Sequence, residues 1–322
     1  MPLDFERFNA TTKSNVDKIN AVAKADIEGI NGLQAGSGVS TPAFKTTDLE
    51  IWWDPSDGAA DSSLTFINTN TTNNYAGLTI ENKAATSGYN SSDVQGQVMY
   101  GDHRALNAAT SVFSTLTINS ASVGVLALDG SNDCVITREL QSSNSNHGWA
   151  YPSTGTWSMN HWYDLSASGG DGWSIELFFR SNGPWHNNGN LFSVYNEAFR
   201  FRISSSGTLT GVGMKIGTST WNTGVSFSAD TWHHIVITFD PSLSSNQMKI
   251  YKNGSLAAQR TGTSSISSST WIRSLLLIGA YQTSGSERQH LYLGQFRKYK
   301  SPLAAQEVLT NYNADKATYG LS

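Results

Sequence analysis

Between Trp173 and Tyr299 the chain alternates apolar and polar residues in short runs, and that period of two is the pattern of strands with one face in a core. The runs are Trp173–Arg180, Trp232–Asp240, Lys249–Gly254, Leu275–Gly279 and Leu293–Tyr299. Upstream, strand-like runs recur at Leu78–Ile80, Gly96–Tyr100, Val112–Ile118, Val125–Leu128 and Asp133–Arg138. Asp129-Gly-Ser-Asn-Asp133 between the last two reads as a tight turn, because Asp, Gly and Asn tolerate the backbone angles a turn demands. A chain patterned this way is all-β, with helix confined to its ends. One such end is Leu303–Ala314, a helix signal opened by Ser301-Pro302 in the favoured order.

Composition narrows the setting. The 322 residues suffice for one large sandwich or two domains. Only 14% are charged against about 25% in an average globular protein, and Ser, Thr, Asn and Gly make up the difference. That is a polar, weakly charged surface, as on extracellular or virion proteins. A formal net charge of −4 with no basic stripe gives no electrostatic case for nucleic acid or an anionic membrane. Cys134 is the only cysteine, so no intrachain disulfide forms, which fits folding in a reducing cytoplasm. The N-terminus lacks the basic and apolar regions of a signal peptide, and no run approaches the about 20 apolar residues of a membrane-spanning helix.

Residues 1–35 stand apart. Val16, Ile19, Ala23, Ile27 and Ile30 make one apolar helical stripe, while Gly29 and Gly32 interrupt it. Two short helices are expected there, either packed on the chain's own body or serving as an attachment and oligomerisation segment. Residues 36–47 read as a linker by composition. The main domain then opens at Asp48-Leu-Glu-Ile-Trp-Trp-Asp-Pro-Ser-Asp57 and runs to the C-terminus.

The order of these motifs resembles the laminin-G-like, concanavalin A-like lectin domain: an opening strand ending in an Asp-rich turn, the Asp129–Asp133 turn, tryptophans at Trp173 and Trp232, and the closing helix. The resemblance covers residues 48–318 and is most specific from residue 172 onward. It implies a concanavalin A-like antiparallel β-sandwich, or jelly roll, with core tryptophans at 173 and 232. The phrase from Lys18 to Leu33 also looks like N-terminal segments of tailed-phage structural proteins, especially of cyanophages. Together these imply a bacteriophage virion protein, a tail fibre, tail-tip or head appendage that is made in the host cytoplasm. It would form a homo-oligomer and be held to other virion proteins by the N-terminal segment.

Catalysis finds little support in the residues. A glycosidase needs two carboxylates about 5–9 Å apart, and on one strand face they would be separated by a single residue. Glu176 stands alone among apolar neighbours and is expected on the outer side of its strand, in solvent or beside Arg180. His233 and His234 point to opposite faces of one strand and cannot share a metal, and His147, His161 and His186 lie in loops without ligand spacing. Cys134 alternates into the core as a small hydrophobe. A glycan depolymerase on the same fold, or a cellular carbohydrate-binding protein, remains as the alternative.

Binding is better supplied. The loop from Gln141 to Gly170 has no strand period but holds Trp149, Tyr151, Trp157, Trp162 and Tyr163 among Ser, Asn and Gly. Trp185 follows in the next loop with His186, Asn187 and Asn188. Aromatic faces stack on the apolar side of a pyranose while amides and hydroxyls bind its edges, so these six aromatics are the candidate ligand-binding residues. Packing of the loop onto the domain, or a subunit contact, is the competing expectation. Calcium is the one cofactor expected, since relatives of the fold bind it beside their glycan site. Its oxygen ligands would be Asp129, Asn132 and Asp133, or Asp54 and Asp57; plain turn chemistry explains the same residues.

Overall fold

The computed structural model describes residues 44–57, 65–67, 74–76, 79–80, 94–100, 113–130, 133–139, 172–194, 200–212, 220–261, 276–280 and 287–322. The chain divides into two compact units, Met1–Thr41 and Pro42–Ser322, and the described residues all lie in the second. The expected helices of residues 1–35 lie outside the described residues.

Two antiparallel sheets form the second unit. The first runs in the order β16 (Ser255–Arg260), β15 (Met248–Lys252), β14 (His233–Phe239), β9 (Trp173–Ser181), β18 (His290–Tyr299), β7 (Ala121–Asp129) and β6 (Phe113–Ile118). The short strand β1 (Leu49–Trp53) pairs with β18 as well. The second runs β13 (Trp221–Ser226), β12 (Thr208–Val212), β11 (Arg200–Ile203), β10 (Gly189–Val194), β17 (Leu276–Ile278), β8 (Asp133–Glu139), β5 (Val94–Tyr100) and β4 (Thr79–Ile80). A hairpin of β2 (Thr65–Ile67) and β3 (Asn74–Ala76) stands apart from both. This is the expected all-β, concanavalin A-like sandwich with one C-terminal helix, α1 (Ala305–Asp315).

Alternation decides which side chains enter the core. Ile175, Leu177 and Phe179 of β9 and Ile235 and Ile237 of β14 meet Leu191, Phe192, Phe201, Ile203 and Leu209 of the second sheet in one buried cluster. The intervening residues of β9 and β14 are buried too. Their outer face lies under α1 and the C-terminal tail, where Phe178, Trp232, Tyr312 and Tyr319 form a second cluster and Val236, Tyr251, Tyr299, Leu303 and Val308 a third. Trp173 and Trp232 are both core residues as expected, but in different layers: Trp173 lies between the sheets, and Trp232 packs against Tyr319 beneath the tail.

The closure of that outer layer rests on close backbone approach. A Cβ at Gly294 would fall 2.5 Å from the Tyr319 ring, so only glycine lets the tail lie flat on β18. The Tyr319 hydroxyl then accepts the Gln295 N–H at 2.9 Å. The helix begins two residues later than the sequence suggests. Glu307 turns back to accept the Ala304 N–H at 2.8 Å, satisfying one donor of the first turn. Phe44 and Lys45, linker residues by composition, are held against this layer: the Lys45 N–H donates to Asn311 Oδ1 and its ammonium pairs with Glu307.

Candidate functional site

Glu176, the strand carboxylate that a hydrolytic reading would need, is sealed inside the molecule. It lies on the outer side of β9 as expected, yet it is 1% exposed, and its partner is Arg297 of β18 rather than Arg180. Arg180 instead reaches Asp230. The expectation of a solvent-facing glutamate fails because α1 covers this face. Four donors converge on the carboxylate: His234 Nε2 and Arg297 Nη1 on Oε1, the Tyr299 hydroxyl and Asn311 Nδ2 on Oε2. Burial alone pushes the carboxyl up. The Arg297 guanidinium, then the His234 and Asn311 hydrogen bonds, more than reverse this and hold its pKa at about 2. Arg297 is closed in from the other side by Asp315 and by the Phe44 ring, 3.7 Å below its guanidinium carbon. A carboxylate so enclosed fastens the helix to the sheet.

The two outer faces are therefore unlike. Over β11–β13 the second sheet keeps its outer side open. The inward residues Phe201, Ile203, Leu209, Trp221 and Val225 are buried, while Asn222, Gly224 and Ser226 between them are exposed and Arg200, Arg202 and Thr210 half-exposed. Register places Arg202 opposite Thr210, and Thr210 opposite Asn222, in one row across three strands. Arg200 follows two residues along β11. Glu287 pairs with both arginines, Arg200 Nη1 at 2.5 Å and Arg202 Nη1 at 4.0 Å. Asn190 donates to the same carboxylate at 3.1 Å. Burial and the neighbouring Arg200 lower the Arg202 pKa, and Glu287 works against them. The face thus offers guanidinium, amide and hydroxyl groups, which pair with vicinal hydroxyls or carboxylates of a ligand.

The expected site residues fall in several places. Trp149, Tyr151, Trp157, Trp162 and Tyr163 lie outside the described residues. The roots of their loop are described: Glu139 ends β8 and Gly172 precedes β9, both at one end of the sandwich. Trp185 corrects the expectation. It is 5% exposed, packs near Phe179 and donates its indole N–H to the Phe227 carbonyl at 3.1 Å, so its ring presents no face to a sugar. It misled because a loop tryptophan beside His and Asn reads the same whether it points outward or inward. Asp129 and Asp133 stand at the opposite end from the loop's roots, the length of β8 or roughly 20 Å away.

Asp129 and Asp133, on either side of the expected turn, are in contact. Asp133 is 4% exposed and accepts the Asp129 N–H at 3.2 Å. Burial and the neighbouring Asp129 raise its pKa to about 6, against the Asp129 amide and the charge of Arg288. Asn132 lies outside the described residues, and no group of three metal-ligating side chains occurs among the described ones. Asp54 accepts from the backbone and hydroxyl of Ser56, ordinary turn bonds. Cys134 is buried, and its thiol is pushed up to about 12 by that burial. His233 and His234 do point to opposite faces, the first to the Ser228 carbonyl and the second to Glu176.

Sequence reading passed over Arg200, Arg202, Thr210 and Asn222. A signal was present, since Arg-Phe-Arg-Ile at 200–203 is a strand pattern with two cations on one face. What the pattern could not say is which sheet faces remain uncovered.

A family comparison agrees with this architecture. Residues 154–309 match the family model described as the concanavalin A-like lectin/glucanases superfamily. No curated protein matches the chain. Among solved structures, the chain is similar to the receptor-binding domain of botulinum neurotoxin mosaic serotype C/D, at 12% identity and a TM-score of 0.48 over 83% of this chain and 51% of that one. It is also similar to the binding domain of botulinum neurotoxin DC in complex with rat synaptotagmin II, at 13% identity and 0.46 over 84% and 52%. A botulinum neurotoxin type C structure, described as dependent for cell entry on two ganglioside molecules, gives 14% and 0.46 over 84% and 51%. The chain spans about half the length of these structures.

Proposed function

We propose that the sandwich is a non-catalytic glycan-contact module, and that it meets its ligand through the open outer face of β11–β13 together with the aromatic loop of residues 141–170. The observation that carries this reading is the asymmetry of the two outer faces. One is sealed by the C-terminal helix, which encloses the strand carboxylate; the other keeps Arg202, Thr210 and Asn222 in a row at the surface. The match of residues 154–309 to a lectin and glucanase superfamily supports the same class of ligand. The roots of the loop favour cooperation between the two parts. Arg200 is in register with Ser193, Leu277 and Ile136, three residues along β8 from Glu139, where the loop leaves the second sheet. Planar polar groups would then bind sugar edges while the loop's rings stack on sugar faces.

The finer reading is a bacteriophage virion protein. Residues 1–35 would anchor it to other particle proteins as an oligomer, and the sandwich would meet host-surface glycans. Calcium at the Asp129–Asp133 turn belongs to the same proposal, because an added cation would relieve the repulsion between these carboxylates.

A glycan array read with the full chain, with and without EDTA, tests the reading. Binding is expected, and both Arg202→Ala/Asn222→Ala and Trp157→Ala/Trp162→Ala should abolish it while leaving stability within about 1 kcal/mol. Reducing ends released from host-envelope polysaccharide, or binding untouched by both pairs of substitutions, would overturn it. Mass spectrometry of purified particles decides the virion assignment.

A further inference from the structure

Away from the open sheet face, one pair of described side chains, His186 and His290, has unused coordinating atoms. His186 lies in the loop after β9, and His290 begins β18. They are 104 positions apart in the chain, and their rings stand 4.0 Å apart, centre to centre, at an interplanar angle of 62°. Each ring is held by the same nitrogen. His186 Nδ1 is 3.1 Å from the Arg288 carbonyl, and His290 Nδ1 is 3.3 Å from the Asn182 carbonyl. A carbonyl only accepts, so in both rings Nδ1 carries the proton and Nε2 keeps its lone pair. Neither Nε2 has a partner among the described residues, and both side chains are half-exposed.

Metal-ligating histidines characteristically donate their second ring N–H to a backbone carbonyl or carboxylate, which fixes tautomer and orientation, and both rings here make that bond. The surroundings hold His290 in place. Gly130, at φ +70°, passes so near that a Cβ there would fall 1.9 Å from His290 Cδ2. The His186 N–H is bound in turn by Gln289 Oε1 at 2.8 Å. Both imidazoles are therefore positioned by the fold before any ion arrives.

We infer that His186 and His290 form a two-histidine site for a divalent transition-metal ion with tetragonal preference, copper(II) or nickel(II). Geometry selects the class. With Nε2 about 2.0 Å from the metal and a ring radius of about 1.2 Å, each ring centre lies about 3.2 Å from a shared ion. Centres 4.0 Å apart then subtend about 77° at that ion. A cis pair at 90° needs about 4.5 Å and a tetrahedral pair about 5.2 Å, so the cis arrangement of a tetragonal ion is nearer than the tetrahedral one of zinc. No third histidine, cysteine or carboxylate joins them in a ligand group among the described residues. The remaining positions go to water or to a donor group of a ligand. The ion would tie the loop after β9 to the start of β18.

The test titrates copper(II) chloride into the metal-free full chain, followed by calorimetry and electron paramagnetic resonance. One ion with two coordinated imidazole nitrogens is expected, and nickel(II) should bind more tightly than zinc(II). His186→Gln and His290→Gln should each weaken that site at least tenfold and remove the two-nitrogen signature. His186 is half-exposed in a loop, so His186→Gln alone decides the matter if His290→Gln fails to fold. A two-nitrogen signature that survives His186→Gln, no copper binding by the wild-type chain, or zinc(II) binding more tightly than nickel(II) would overturn the assignment.

Discussion

Replacing Glu176 by glutamine changes one oxygen to an amide in a buried polar cluster, and its cost follows from the structure. The carboxyl is held at about 2 against an ordinary value of 4.5, which at about 1.4 kcal/mol per unit places roughly 3 kcal/mol of stability in its ionised form. Glutamine forfeits that and also offers only one acceptor oxygen to four donors. His234 Nε2, Arg297 Nη1, the Tyr299 hydroxyl and Asn311 Nδ2 all lie within 3.1 Å of the carboxylate. Leaving one partner of a buried pair unmatched typically costs 3–5 kcal/mol. Glu176→Gln should therefore lower the unfolding free energy at pH 7 by about 3–5 kcal/mol, measured by urea denaturation. The pH dependence has a definite sign. A carboxyl depressed in the folded state stabilises above its unfolded value near 4.5, and the contribution disappears as pH falls through about 2. The gap between wild type and variant should thus narrow steadily between pH 5 and pH 2. A gap below about 1 kcal/mol at pH 7, or one that stays constant across the acid range, would refute the argument that the ionised carboxylate fastens α1 to the sheet.

Asp133 should show the opposite sign. Its pKa is raised to about 6 from 3.8, so the folded state favours the proton and stability falls as pH rises through that window. Asp133→Asn should gain about 2–3 kcal/mol on wild type between pH 4 and pH 8, read from thermal or urea melts at both pH values; calcium should close that gap if the turn binds it. Trp185→Ala should cost about 3–5 kcal/mol in the same melts, as emptying a buried aromatic site does. Wild-type stability with lost glycan binding would instead mean that the indole faces a ligand.

The core positions of Trp173 and Trp232 came from the family resemblance. The all-β class, five of the ten strands from Trp173 onward (β9, β14, β15, β17 and β18), the burial of Cys134 and the closing helix were legible in the sequence. Each depends on local alternation or on a short-range cap, which a run of residues states directly. The opposed directions of His233 and His234 followed from the same period of two. What alternation leaves open is which outward face meets water. Glu176 and Asn222 both stand at outward strand positions, yet one is enclosed with Arg297, His234, Tyr299 and Asn311 and the other is exposed. Only the placement of α1 and the C-terminal tail distinguishes them. Trp185 was misread for a related reason: a loop residue has no period, and its direction is set by the Phe227 carbonyl 42 positions away. The pairing of His186 with His290 across 104 positions, and of Glu176 with Arg297 across 121, arises from strand order in the sheets. Strand order is a property of the whole chain's burial, set by which faces can be covered together, and no single segment carries it.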